Sequence, residues 1–360
     1  MFFRTPSVVA LSSRSARPLS QLSAVLKRNA PIDIHPEVQE ALCTNKPVVA
    51  LETALVTHGF PYPENLKLAL SLEKIVRSTG CIPATIGFIR GRVKIGLEEA
   101  DLQRLADRDT QASKISRRDI AAAIAMKADG GTTCSSTLVF AALAGIKVFA
   151  TGGLGGVHRG GENCMSNTSP GVTNAFSINP LAMDVSADLN ELTRCPVGLV
   201  SSGVKSILDI GRTLEYLETL GVPVFTYGPS REFPAFFSRH SGFNAPWGVN
   251  DPVTAANIIH TQWQLGMNNG ALIAVPIPPE FEEVGMSIQK AVDQAVAESE
   301  DNGVSKKGKQ ATPWLLNRVA ELTQGTSLVS NIALLENSAL IGKQDSSLKI
   351  IYGFDHVISV

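Results

Sequence analysis

Residues 195 to 228 read CPVGLVSSGVKSILDIGRTLEYLETLGVPVFTYG. CPVGLVSSG (195–203) has the apolar run of a buried strand. Ser206 to Leu220 follows as an amphipathic helix, with Gly221 as its stop. VPVFTYG (222–228) is a second buried strand. Strand, helix, strand on this spacing is a crossover unit, and it places the two strands parallel in one sheet.

The same alternation extends in both directions. PVVALE (47–52) predicts a buried strand. Pro63 opens a helix that runs to Gly80, with Leu66, Leu70 and Ile75 on one face. PATIGFIRG (83–91) and RVKIGL (92–97) predict a strand pair. Ser116 caps a helix through AAAIAMKA, and residues 135–145 form another that Gly145 closes. IKVFATGG is a strand, and so is GALIAVPIP (270–278). SEDNGVSKKGKQ (299–310) is a polar loop between two helices, and 312–341 closes the fold as helix. The expectation is an α/β protein with a largely parallel central sheet and helices on both faces.

At 360 residues and 44% hydrophobic, the chain can bury a full core, as one large domain or two smaller ones. A net charge of −1 gives no reason to expect nucleic-acid or membrane-surface binding. No apolar run is long enough to span a bilayer. Cysteines 43, 81, 134, 164 and 195 are scattered without a CxxC pair, which argues against a disulfide framework or a zinc site. The first thirty residues carry Arg4, Arg14, Arg17, Lys27 and Arg28, many serines and no acid. Residues 1–31 therefore have the composition of a mitochondrial transit peptide, or of a disordered basic tail.

Ligand sites in parallel sheets gather at the carboxyl ends of strands. Lys205 stands just past one such end. A desolvated lysine there could attack a carbonyl as a neutral amine, or it could be a solvated residue at a helix start. Glu52 follows PVVAL; in apolar company its carboxyl could serve as acid or base, or it could cap a helix. Lys114, with Arg117 and Arg118, forms a basic cluster suited to phosphate, or a solvated face. TGGLGGVHRGG (151–161) carries six glycines beside His158 and Arg159. They could let backbone N–H groups converge on an anion, or form a tight turn. Neither a P-loop nor a dinucleotide fingerprint is present. Asp184 and Asp188 could hold a divalent metal, or Ser186 and Asp188 could cap a helix. Together these suit a phosphorylated sugar with a masked aldehyde.

Longer motifs run in one family's order: ALETALVTHGFPYPENL, ATIGFIRGRVKIGL, KISRRDIAAAIA, GGTTCSSTL, VFATGGLGGVHRG, DVSADLNEL, GVKSILDIGRTLEYLETLGVPVFTYG and FPAFFSRHSGF. The chain resembles the pseudouridine-5′-phosphate glycosidases, also called indigoidine-synthase-A-like proteins, over about residues 32 to 342. The resemblance implies a single α/β/α layered domain and a homotrimer. It implies reversible cleavage of the C–C glycosidic bond of pseudouridine 5′-phosphate to uracil and ribose 5-phosphate, with a divalent metal, typically Mn²⁺. Carried over by motif, Lys205 is the Schiff-base nucleophile and Glu52 the proton donor. Lys114, Cys134 (often Val in the family), Ser186, Ala187 and Asp188 contact substrate, with His158 and Asn331 also in the site. Asp184 holds the metal. The other readings are a Schiff-base lyase or aldolase on another sugar phosphate, and a catalytically impaired homologue.

Two stretches depart from the pattern. Residues 163–182 are extra, rich in Ser, Asn, Thr and Pro, and they separate the glycine run from Asp184. Either they are an exposed loop insertion or they reflect a retained intron. The tail, 343–360, also diverges.

Overall fold

The computed structural model describes residues 28–78, 80–159, 185–304 and 311–344. Most of the basic N-terminal segment, the 163–182 insertion, Asp184 and the tail beyond residue 344 lie outside them, as do residues 305–310.

The strands are β1 (Ile32–Ile34), β2 (Val48–Leu51), β3 (Ile82–Ile89), β4 (Arg92–Ile95), β5 (Ser113–Ile115), β6 (Gly130–Thr132), β7 (Val148–Ala150), β8 (Val157–His158), β9 (Gly198–Ser201), β10 (Leu208–Asp209), β11 (Val224–Tyr227), β12 (Trp247–Val249) and β13 (Ala271–Ala274). Seven of them, in the order β3-β2-β7-β9-β13-β11-β12, form an all-parallel run. At one end β3 turns back on β4 as an antiparallel pair, as RVKIGL predicts, and β1 lies parallel to β4. Also on β3 is β6, antiparallel, with β5 parallel to it.

β2, β7, β9 and β13 are buried at every residue. That is why VVAL, VFA and ALIA are unbroken apolar runs with no polar face: helices cover both sides. Helix Cys134–Ala144 lies across β2, β6 and β7, and helix Thr326–Gln344 across β7 and β9. Phe88, Phe149, Phe225 and Phe233 are the largest of the fully buried side chains. Gly145 and Gly221 end their helices in the left-handed region, at φ 83° and 68°.

The stretch 195–228 contains one departure. The helix expected from Ser206 begins only at Ile210, where the Asp209 carboxylate accepts from the Arg212 N–H. Leu208 and Asp209 are instead β10, paired antiparallel with His158 and Val157 of β8. Lys205 therefore sits in a turn between a strand and a small two-stranded ribbon, not at a helix start.

Candidate active site

Parallel register brings three separate pieces of sequence level. Leu51 pairs with Ala150, and Ala150 with Val200. The next residues, Glu52, Thr151 and Ser201, stand side by side at the carboxyl ends of adjacent strands. Beyond them the glycine run keeps pairing with the chain that leads to Lys205. Ser202 N–H donates to Gly152 O at 2.7 Å, Leu154 N–H to Gly203 O at 3.1 Å, and Lys205 N–H to Leu154 O at 3.1 Å.

A cavity of about 290 Å³ opens above these strand ends. Glu52, Lys114, Cys134 and His158 line it, and so do Ser186, Asp188, Lys205 and Asn331. Of the residues that the family resemblance places in the site, every one within the described stretches is there except Ala187. Ala187 starts the short helix Ala187–Leu192 and is not part of the lining.

The Thr151 hydroxyl, buried at the end of β7, donates to Oε1 of Glu52. Enclosure by protein pushes the Glu52 carboxyl above the usual glutamate range, with the Lys205 cation and the Thr151 bond opposing that rise. Glu52 is thus a carboxyl that keeps its proton to higher pH than an ordinary glutamate. Lys114 is pulled below the usual lysine range by desolvation of its ammonium and by the neighbouring Lys205. Its side chain remains open to solvent, which limits the size of that effect. Cys134 is deeply buried, and desolvation, with Asp188 and Glu52 nearby, holds its thiol well above its ordinary value, which disfavours the thiolate.

Asp188 is a buried anchor. Oδ1 accepts from the Ser135 N–H and Oδ2 from the Gly155 N–H, each at 2.8 Å. The first of these sits at the N-terminus of helix Cys134–Ala144, where a negative charge is favoured. Ser186 caps the next helix by accepting from the Asp188 N–H at 3.3 Å.

The glycines serve packing. None of Gly152, Gly153, Gly155 or Gly156 has a positive φ. A Cβ at Gly155 would stand 2.2 Å from Ser186 Oγ, and at Gly153 2.4 Å from the Phe236 ring. At Gly156 it would stand 2.5 Å from Thr213 Oγ1. The anion that Gly155 N–H meets is the protein's own Asp188.

The basic cluster divides between its two readings. Arg117 is tied to the buried Glu191 at 2.6 Å, and Arg118 is exposed, 3.6 Å from Asp119. Neither lines the cavity; Lys114 alone of the three does. Thr151 and His58 line it without having been singled out by sequence. A threonine just past a buried strand and a histidine ending the short helix Ala54–His58 carry no distinguishing pattern.

Among the described residues no group of three or more His, Cys, Asp or Glu side chains could hold a metal ion. Asp188 already bonds two backbone amides, and Asp184 lies outside the described residues. The described side chains by themselves do not make a Mn²⁺ site.

A protonatable carboxyl, two lysines and an anchored aspartate at the carboxyl ends of parallel strands define an α/β enzyme pocket for a small polar substrate. The chain belongs to the indigoidine synthase A-like family, whose profile matches residues 37–346. It is 47% identical over 314 residues to a pseudouridine-5′-phosphate glycosidase of Deinococcus radiodurans, covering 87% of this chain and 93% of that one. A protein of the same name from Arabidopsis thaliana is 46% identical over 326 residues, covering 91% and 92%. Among solved structures, the prealnumycin C-glycosynthase AlnA in complex with ribulose 5-phosphate superposes with a TM-score of 0.75 at 31% identity, covering 89% of this chain and 98% of that chain.

Proposed function

We propose that this protein breaks the C–C glycosidic bond of pseudouridine 5′-phosphate, reversibly, giving uracil and ribose 5-phosphate. The observation that carries it is the meeting of Lys205, Glu52, Lys114 and Asp188 in one cavity, in a chain nearly half identical to glycosidases of that name.

A C-glycoside offers no leaving-group oxygen to protonate, so two carboxylates working as in ordinary glycosidases do not suffice. The Lys205 amine attacks C1′; the bond from C1′ to the ring oxygen breaks, and that oxygen takes a proton. The nitrogen lone pair then forms C1′=N as the bond from C1′ to uracil C5 breaks. Its electron pair stays on C5, which takes the Glu52 proton. Water releases ribose 5-phosphate from the imine and returns the Lys205 amine. The raised carboxyl of Glu52 suits this donation. Lys114 offers the cation for the phosphate, whose binding holds the distant reacting carbon in place.

Incubating the protein with pseudouridine 5′-phosphate should release uracil. Borohydride with ribose 5-phosphate should leave a covalent adduct that Lys205→Ala loses. Absence of uracil with an intact adduct would point instead to a lyase or aldolase on another sugar phosphate.

The finer parts of the reading are a homotrimer, a divalent metal such as Mn²⁺ drawing on Asp184, and mitochondrial import. Asp184 falls close in sequence to Ser186 and Asp188, both on the cavity wall, which supports the metal. Chelation followed by Mn²⁺ addition should abolish and restore turnover. Mass measurement in solution tests the trimer, and a reporter fused to residues 1–35 tests import.

A further inference from the structure

Arg159 stands beside the cavity without lining it. Its Nε donates to Leu208 O at 3.3 Å and its Nη2 to Ser206 O at 3.2 Å. Its remaining terminal nitrogen faces Asp293 of helix Glu282–Asp301 at 3.6 Å. Both carbonyls belong to the turn that Lys205 opens, closed by the Leu208 N–H donating to Lys205 O at 2.9 Å. Ser206 and Leu208 line the active-site cavity on one side and a second cavity of about 390 Å³ on the other; Arg159 lines only the second. The turn is thus a thin wall with Lys205 on its front and the Arg159 guanidinium behind it.

We propose that Arg159 is a positioning residue for Lys205: its planar fork fixes the turn so that the amine meets C1′ of the sugar. The turn is also held by backbone bonds, Lys205 N–H to Leu154 O and the pairing of Leu208 with His158, and by burial of Ile207 and Leu208 in the core. Without Arg159 two carbonyls of the wall lose their donor, and the wall can shift toward the empty side. A role in holding the substrate phosphate is disfavoured, since all three guanidinium nitrogens face protein acceptors and the group lies on the far face. A lysine has no planar fork to span two carbonyls, so it replaces the guanidinium only in part.

The inference rests on Lys205 being the nucleophile. It is tested by the rate at which borohydride traps ribose 5-phosphate on the protein, followed by mass of the intact chain against sugar concentration. Arg159→Ala should lower the maximal trapping rate by about tenfold to a hundredfold, the cost of a small misplacement of a reacting group. Its half-saturating sugar concentration should stay within about threefold, because substrate binding is left intact. Arg159→Lys should fall between, and Asp293→Asn should match the wild type. If Arg159→Ala does not fold, Arg159→Lys and Arg159→Gln carry the comparison. An unchanged maximal rate overturns the inference, and so does a rise in half-saturation alone, which would make Arg159 a substrate contact. A wild type that traps nothing would instead overturn the role of Lys205.

Discussion

Glu52 carries the clearest consequence of its surroundings. Glu52→Gln keeps the shape and removes the proton, so uracil release should fall by about two decades or more while ribose 5-phosphate still binds. The raised carboxyl also has a stability signature. Between the ordinary glutamate value and the raised one, the native state holds a proton that the unfolded chain has lost. Stability therefore falls as pH rises through that window. Glu52→Gln should melt above the wild type at neutral pH, and the gap should close below about pH 4. A gap that is constant with pH would contradict this. Thr151→Val removes the hydroxyl bonded to Oε1. The Glu52 carboxyl should move further up, and the alkaline limb of the pH–rate profile should move with it. An unmoved limb would mean that another group sets it. Glu52 and Lys205 were visible in the sequence as reactive types near strand ends, and Lys114 as part of a basic cluster. Nothing local separated each from a solvated charge, because burial and neighbours are properties of the folded chain. Thr151 was invisible for the same reason: its importance lies wholly in what stands on the next strand.

The elements that position the site depend on Asp188. Its two oxygens satisfy the Ser135 and Gly155 amides. Asp188→Ala strands both buried donors, at roughly 1–3 kcal/mol each, while Asp188→Asn keeps one acceptor and should lose about half as much. Denaturant titration of the two variants checks the order; equal losses would show that the carboxylate is not the shared anchor. Strand–helix alternation was legible because buried parallel strands and amphipathic helices have local signatures, as in PVVAL and in residues 210–219. The helix expected from Ser206 fails because Leu208 and Asp209 pair with residues some fifty positions upstream, and periodicity cannot report a distant partner. The glycine run left an anion nest and a tight turn both open. What bars side chains at Gly153, Gly155 and Gly156 is the close approach of Phe236, Ser186 and Thr213, a contact with distant chain that composition does not report.

At the scale of the molecule, strand order makes the site. β2, β7 and β9 are neighbours in the sheet although other strands and helices intervene in sequence, and no local pattern specified that order. Val157 forms an antiparallel bridge with Val185, so the chain on either side of residues 160–184 starts and ends in one place. Shortening that connection by deleting 163–182 should leave melting and turnover close to wild type, since a loop of this size changes closure entropy by only about 1 kcal/mol. Loss of activity in the deletion would make the segment an integral part of the site. The same bridge divides the chemistry between two lengths of chain. Glu52, Lys114, Thr151 and His158 lie before it, and Asp188, Lys205 and Asn331 after it. Cut within 163–182, the protein becomes two fragments, each holding part of the reactive groups and exposing a sheet edge, β7 or β9, that its partner completes. Neither half alone should release uracil, and mixing them should. Turnover would then report fragment association, so the chain could be used as a complementation sensor.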